Sequence, residues 1–302
     1  MKQMRGSFFL VGALMTLPLL PAASGTPTAL GSATFTEIKN QVIYRSADGT
    51  ERAAKAGDVV QGGEVVTAYS NSMAELEFPD GTLARLGSRS SVTFSAEARE
   101  VQMLSGLGVF FIPKTMGGLR ILTRAMVGTV EGCTVVVEDM DRPEGGKSRH
   151  WTKFLLVEGS RAGVSPPGAN RGTVLREGQG LFRREGASTL SPAFDFDVKA
   201  LTENATIFTG FHRAWPGLDE INTVIQRQYK LLRSGRLTHA SYFWTGRGAQ
   251  QGTLAAQFPV PDLPGMTTPP YNDSGARDGL LLYEFNNVGG NSRPTPAGSA
   301  TR

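Results

Sequence analysis

Short alternating stretches separated by turn signals fill the first two thirds of the chain. In Met73–Phe78, Ala74, Leu76 and Phe78 fall on one side of an extended strand, and Glu75 and Glu77 on the other. Pro79-Asp80-Gly81 turns the chain, and Thr82–Leu86 begins the next strand. The same rhythm predicts strands at Thr34–Lys39 or Val42–Tyr44, then at Val59–Gln61, Glu64–Ala68, Val92–Ser95, Val101–Leu104, Val109–Ile112 and Leu119–Thr123. It continues through Thr134–Glu138, Lys153–Val157, Arg161–Val164 and Thr173–Arg176. Breakers such as Gly62-Gly63, Ser70-Asn71, Gly117-Gly118 and Pro166-Pro167-Gly168 stand between them. No helical period is sustained before residue 190. Many short strands with closely spaced turns mean an all-β unit, either an antiparallel sandwich or a solenoid-like winding.

The period changes after Asp195. Val198, Leu201 and Ala205 share one helical face, in a segment opened by Asp195 or Asp197 and closed near Gly210. A longer helix is predicted over Leu218–Arg233, where Leu218, Ile221, Ile225, Tyr229 and Leu232 recur every three or four residues. Asp219 and Glu220 in its first turn and Arg233 in its last suit the helix dipole, and Gly235 follows as a stop. An amphipathic pair of this kind needs a surface, and the β unit is the expected one. Beyond Gly246 the composition shifts to Gly, Pro, Ser and Thr, which predicts a mostly disordered tail with one apolar island at Leu280–Phe285. The expected organisation is a signal peptide over 1–24, an all-β domain over 34–190, a helical segment over 195–240 and the tail over 246–302.

The N-terminus sets the expected location. Lys2 and Arg5 precede an apolar stretch from Phe8 to Leu20, followed by Pro21-Ala22-Ala23-Ser24. This order of basic, apolar and small-x-small segments predicts export with cleavage between Ser24 and Gly25, hence a periplasmic or extracellular protein. The stretch is short of the roughly 20 apolar residues of a membrane span. Removing Lys2 and Arg5 lowers the formal net charge of +4 by two, and the remaining charge is dispersed, which argues against nucleic acid as a partner. Cys133 is the only cysteine, so no intramolecular disulfide can form and a buried, hydrophobe-like thiol is expected.

Motifs for chemistry are missing. No glycine-rich nucleotide fingerprint, phosphate loop or serine nucleophile elbow occurs, and no cofactor is implied. His150, His212 and His239 are too far apart for metal-ligand spacing. Glu75 and Glu77 share a strand face, as a glycosidase pair could, but their face reads as the wet side of a strand. Trp151, placed before a strand, and Trp244, at the start of the tail, are the candidate ligand contacts. Trp215 reads as packing between helices and sheet.

Three blocks resemble the FecR domain of bacterial envelope proteins, a family named after the ferric-citrate transport regulator. The first is Gly57–Thr67 with Ala74–Thr82 and Leu86; the second is Val101–Val109 leading to Ile121-Leu122-Thr123; the third is Met126–Val137 with Phe154–Gly159. The resemblance covers roughly 55–185, with Gly132-Cys133 standing where the family has Gly-Thr. The family's transmembrane regulators place a cytoplasmic anti-sigma segment before a membrane span, whereas here only a short basic start and a signal-like stretch precede the domain. The resemblance implies an exported, non-catalytic module of the cell envelope that binds a protein partner or serves a structural or signalling role. A glycan- or peptidoglycan-binding module is the alternative, and a hydrolase using Glu75 or Glu77 a third.

Overall fold

The computed structural model describes residues 29–144, 147–159 and 161–237. The expected cleavage site at Ser24 and Gly25, the tail with its Leu280–Phe285 island, Trp244 and His239 all lie outside the described residues. The strands run β1 (Ser32–Lys39), β2 (Val42–Arg45), β3 (Glu51–Ala53), β4 (Val59–Gln61), β5 (Val65–Ala68), β6 (Met73–Glu77), β7 (Leu83–Leu86), β8 (Ser90–Phe94) and β9 (Glu100–Ile112). They continue with β10 (Leu119–Leu122), β11 (Val127–Val130), β12 (Cys133–Glu144), β13 (Lys147–Glu158), β14 (Ala162–Ser165), β15 (Thr173–Leu175), β16 (Gln179–Arg184) and β17 (Phe194–Asp195). Three helices follow: α1 (Val198–Asn204), α2 (Thr206–Thr209) and α3 (Leu218–Arg233).

The strands stack as two layers joined by one shared strand. The first layer runs β4-β1-β6-β7-β9-β12-β13-β16-β17, antiparallel throughout. The second runs β3-β2-β5-β8-β9-β10-β11-β14-β15. Its β9–β10 pair is parallel, an exception to the antiparallel expectation. Residues 101–105 of β9 pair with β8, and residues 106–112 pair with β12. The change of layer happens at Gly106, whose φ of +84° only glycine adopts without strain. The chain is therefore a sandwich through which the backbone weaves, rather than a solenoid.

Local chemistry explains the joints. Gly81, with φ +79°, closes the Pro79-Asp80-Gly81 turn by donating its N–H to the Phe78 carbonyl at 2.9 Å. Asp80 Oδ1 accepts the Thr82 N–H at 2.9 Å, fixing the start of β7. Asp197 caps α1 by accepting the Ala200 N–H at 2.8 Å. Asp219 and Glu220 open α3 while Lys230 and Arg233 close it, on the bounds expected from the periodicity.

Two apolar cores result. Between the layers, Phe35, Leu76, Phe110 and Phe154 meet Val66, Val92, Met103, Ile121 and Val164. On the outward face of the first layer, Leu83, Val109, Val136, Leu155 and Val157 meet Val198, Leu201, Phe208, Trp215, Ile221 and Val224. The helical segment is thus a third layer, a strap laid across the centre of one sheet. This explains why Val135–Val137 and Phe154–Val157 do not alternate: both of their faces are buried.

A candidate interaction groove and the residues around it

Beneath the strap, the first layer carries charge. Arg85, on β7, is completely buried. Its Nε donates to Glu75 Oε2 at 2.7 Å, and Thr36 Oγ1 donates to Glu75 Oε1 at 2.7 Å. Arg85 Nη1 reaches the Phe208 carbonyl at 3.0 Å, and Nη2 reaches the Arg213 carbonyl at 2.5 Å. The guanidinium lies 4.4 Å from the Phe211 ring centroid and 4.9 Å from that of Trp215. Burial pushes the Arg85 pKa down while Glu75 pushes it back up. Glu75 is therefore not on the wet side of its strand: the strap covers it and Arg85 neutralises it. A carboxylate sealed this way is closed to a sugar substrate. Glu77, two residues on, pairs with Arg213 at 2.8 Å at the strap's border.

Other acidic groups are similarly engaged. Glu138 and Lys153 form a buried pair at 3.1 Å, and Asp80 pairs with Arg99 in the interior. Cys133 is buried, and burial followed by the neighbouring Glu158 charge pushes its thiol up to about 12. Among the described residues, no group of three His, Cys, Asp or Glu side chains gathers as metal ligands would.

An open groove of about 860 Å³ lies where the chain crosses between layers. Glu131 and Gly132 line it from the β11–β12 turn, Gly159 and Arg161 from the β13–β14 turn, and Glu177 from the β15–β16 turn. Thr129, Gly163 and Val174 form a continuous cross-strand row along one side. Glu220 and Thr223 of α3 form the opposite wall. Lys114 Nζ meets Glu220 Oε1 at 2.9 Å across the opening, and Arg227 pairs with Glu177 at the rim. Glu158, buried at the groove floor, has its pKa raised by burial, against the hydrogen bond from Thr134. Val174 is 61% exposed, on a strand with β14 on one side and no partner strand on the other among the described residues. An unpaired edge beside a charged groove suits a polypeptide segment, which offers both backbone groups and side chains.

The candidate ligand contact Trp151 is elsewhere and points inward. It lies within β13 rather than in a loop, is 4% exposed, and packs 6.1 Å from the Phe182 ring. The long β12–β13 pairing draws it into the sheet, so its ring has no open face for stacking on a sugar. Trp215 does pack between strap and sheet, donating its Nε1–H to Thr134 Oγ1 at 3.0 Å. His212 is bound to Glu37 at the strap's border, and His150 is held between two aspartates. The groove residues carry no sequence motif; Gly159 and Val174, 15 positions apart in number, meet only because successive crossovers return to one end of the sandwich.

The family model described as FecR protein matches residues 64–151. The chain therefore carries a FecR domain over this span, which runs from the turn before β5 into β13. The strands before residue 64 and after residue 151 continue the same sandwich. No curated protein matches the chain. Two crystal structures of a candidate anti-sigma factor from Parabacteroides distasonis, at 1.65 and 2.50 Å resolution, align at 16% and 15% identity, each with a TM-score of 0.38. Each alignment covers 46% of this chain and 62% of the other, so the chain spans less than two thirds of those proteins' length.

Proposed function

We propose that this protein is an exported, non-catalytic binding module of the bacterial envelope, and that it holds a protein partner at the groove below α3. The observation that carries this reading is the unpaired β15 edge, with its exposed Val174, beside the open crossover groove. Glu75, the carboxylate on which a hydrolase reading rested, is bound to Arg85 in a structural pair, as Glu138 is to Lys153. The FecR domain supports a place among envelope proteins, and the signal-like stretch from Lys2 to Ser24 supports export. The burial of Trp151 removes one of the two side chains on which a glycan-binding reading rested.

The test is retention of envelope proteins on the immobilised native chain, compared with Val174→Glu and Arg161→Glu variants. A partner retained by the native chain and lost by both folded variants supports the groove. Equal retention by all three places the partner elsewhere and sinks this reading. Binding to a polysaccharide panel with no protein retained would favour the glycan alternative. Recovery of the protein from cells with Met1 still attached would contradict export.

A further inference from the structure

The long β12–β13 hairpin outruns its neighbours. Pairing of β12 with β9 ends at Asp139↔Gly106, and pairing of β13 with β16 ends at Trp151↔Arg184. The His150 carbonyl still accepts the Glu185 N–H at 2.8 Å, and beyond it the rungs Arg142↔Arg149, Pro143↔Ser148 and Glu144↔Lys147 form an arm of two strands among the described residues. A two-stranded arm is marginal without help.

His150 sits at the base of that arm and is 5% exposed. Its Nε2 lies 2.7 Å from Asp139 Oδ1, and its Nδ1 lies 2.9 Å from Asp141 Oδ1. Carboxylates only accept, and a neutral imidazole has one N–H, so both contacts are hydrogen bonds only in the imidazolium. A second partner waits for Nδ1: Arg124 Nη1, from the β10–β11 turn, is 3.3 Å away. Arg124 can only donate, so it bonds Nδ1 only when that nitrogen carries no proton. The two partners of Nδ1 are therefore mutually exclusive.

The remaining surroundings favour exchange at Nδ1 rather than at Nε2. Asp139 is fully buried and its Oδ1 also accepts from Thr152 at 2.5 Å, so it keeps the Nε2 proton in either state. The Asp141 side chain is 58% exposed, and Arg124 Nη1 lies 3.8 Å from the same Oδ1 that faces His150. From β16 and the residue after it, Arg183, the cross-strand neighbour of Thr152, donates its Nη1 to the Ala125 carbonyl at 2.6 Å, and Glu185, opposite His150, donates its backbone N–H to the His150 carbonyl at 2.8 Å.

We propose that His150 is a proton-operated clasp for the β12–β13 arm. When protonated, it ties Asp141 across the rung at the arm's base; when neutral, it accepts from Arg124 and gives up its own bond to Asp141, leaving that carboxylate to the longer Arg124 pairing at 3.8 Å and loosening the arm from its base. Burial lowers the His150 pKa, but the hydrogen bond and charge of Asp139 and the hydrogen bond of Asp141 outweigh it, leaving the value raised despite Arg124. A raised histidine pKa means the clasp is fully formed below the ordinary value near 6.5 and is lost as pH rises through the folded-state value.

The test combines an NMR titration of the His150 ring with hydrogen–deuterium exchange of the full chain, corrected for intrinsic rates. The amides of Asp141, Arg142, Glu144 and 147–149 should exchange roughly tenfold faster above the His150 transition than below it, the effect of losing one charge-assisted hydrogen bond, while the β9–β12 rungs stay unchanged. Asp141→Asn alters an exposed side chain and so keeps the fold. It should move the His150 transition down and flatten the arm's response, whereas Arg124→Gln should move the transition up. Arm protection that is indifferent to pH, or a His150 transition unmoved by Asp141→Asn, overturns the clasp.

Discussion

Arg85 on β7 donates to the Phe208 carbonyl at 3.0 Å, across 123 residues of sequence, while its Nε holds Glu75 at 2.7 Å. One side chain thus joins two strands of the first layer to the strap. Its hydrogen-bond partners are the Glu75 carboxylate and the strap carbonyls of Phe208 and Arg213, which water cannot replace in the interior. Glu75 in turn is fixed by Thr36 on β1, so the cluster reaches across β1, β6 and β7.

Arg85→Ala should therefore cost about 3–5 kcal/mol, because it leaves the Glu75 carboxylate buried without its cation and the strap carbonyls without donors. Denaturant unfolding measures this directly. Adding Glu75→Leu to Arg85→Met should recover part of the loss, since the uncompensated charge is gone while the carbonyls remain unmet. No recovery would mean that Glu75 is not the charge Arg85 neutralises.

Ending the chain after residue 193 should give a protein that aggregates. The strap covers Leu83, Val109, Val136, Leu155 and Val157, each worth about 1.5–3 kcal/mol when buried as a large side chain. Bare, they form one contiguous apolar strip on the sheet. Binding of an apolar dye and loss of solubility are the readouts; a monomeric, cooperative fragment would show that the sandwich stands without its strap.

Gly106→Ala should lower stability by about 3 kcal/mol or more, since a methyl there needs φ of +84° and would fall against Ser90 and the Arg89 carbonyl. Gly49→Ala is the control: φ is +86°, but the space around it is open, and the cost should stay near 1–2 kcal/mol. Thermal unfolding of the two variants separates backbone strain from the close approach of layers at the β9 bend.

Cys133 should resist thiol reagents while the protein is folded. With its pKa pushed up to about 12 and its side chain buried, the thiolate fraction at pH 8 is about one part in ten thousand. Native labelling should run at least about a thousandfold slower than labelling in denaturant. Labelling at the denatured rate in native buffer would mean that the start of β12 opens readily.

Much of the fold was legible in the chain. Alternation around Ala74–Phe78 and the Pro79-Asp80-Gly81 turn mark β6 and β7 correctly, and the spacing of Ile221, Ile225 and Tyr229 marks α3 to its ends. These are local signals: side-chain period, turn chemistry and helix dipole act within a few residues. The apolar runs at Val135–Val137 and Phe154–Val157 read only as strands in the chain; the structure shows them buried on both faces.

The sites were not legible, because each depends on partners brought together by register and by chain crossings. Glu75 reads as a solvated glutamate until the strap, more than a hundred residues later, seals it against Arg85. Trp151 reads as a loop tryptophan until eleven rungs of β12–β13 pairing place it inside a sheet. His150 gains its two aspartates from the facing strand and its competing arginine from a turn in the other layer. The sequence by itself determined the strands, the turns and the helix faces, since those follow from neighbours along the chain. Tertiary structure alone decided which charges lie in water and which are paired in the dark, since desolvation depends on what is packed above each residue.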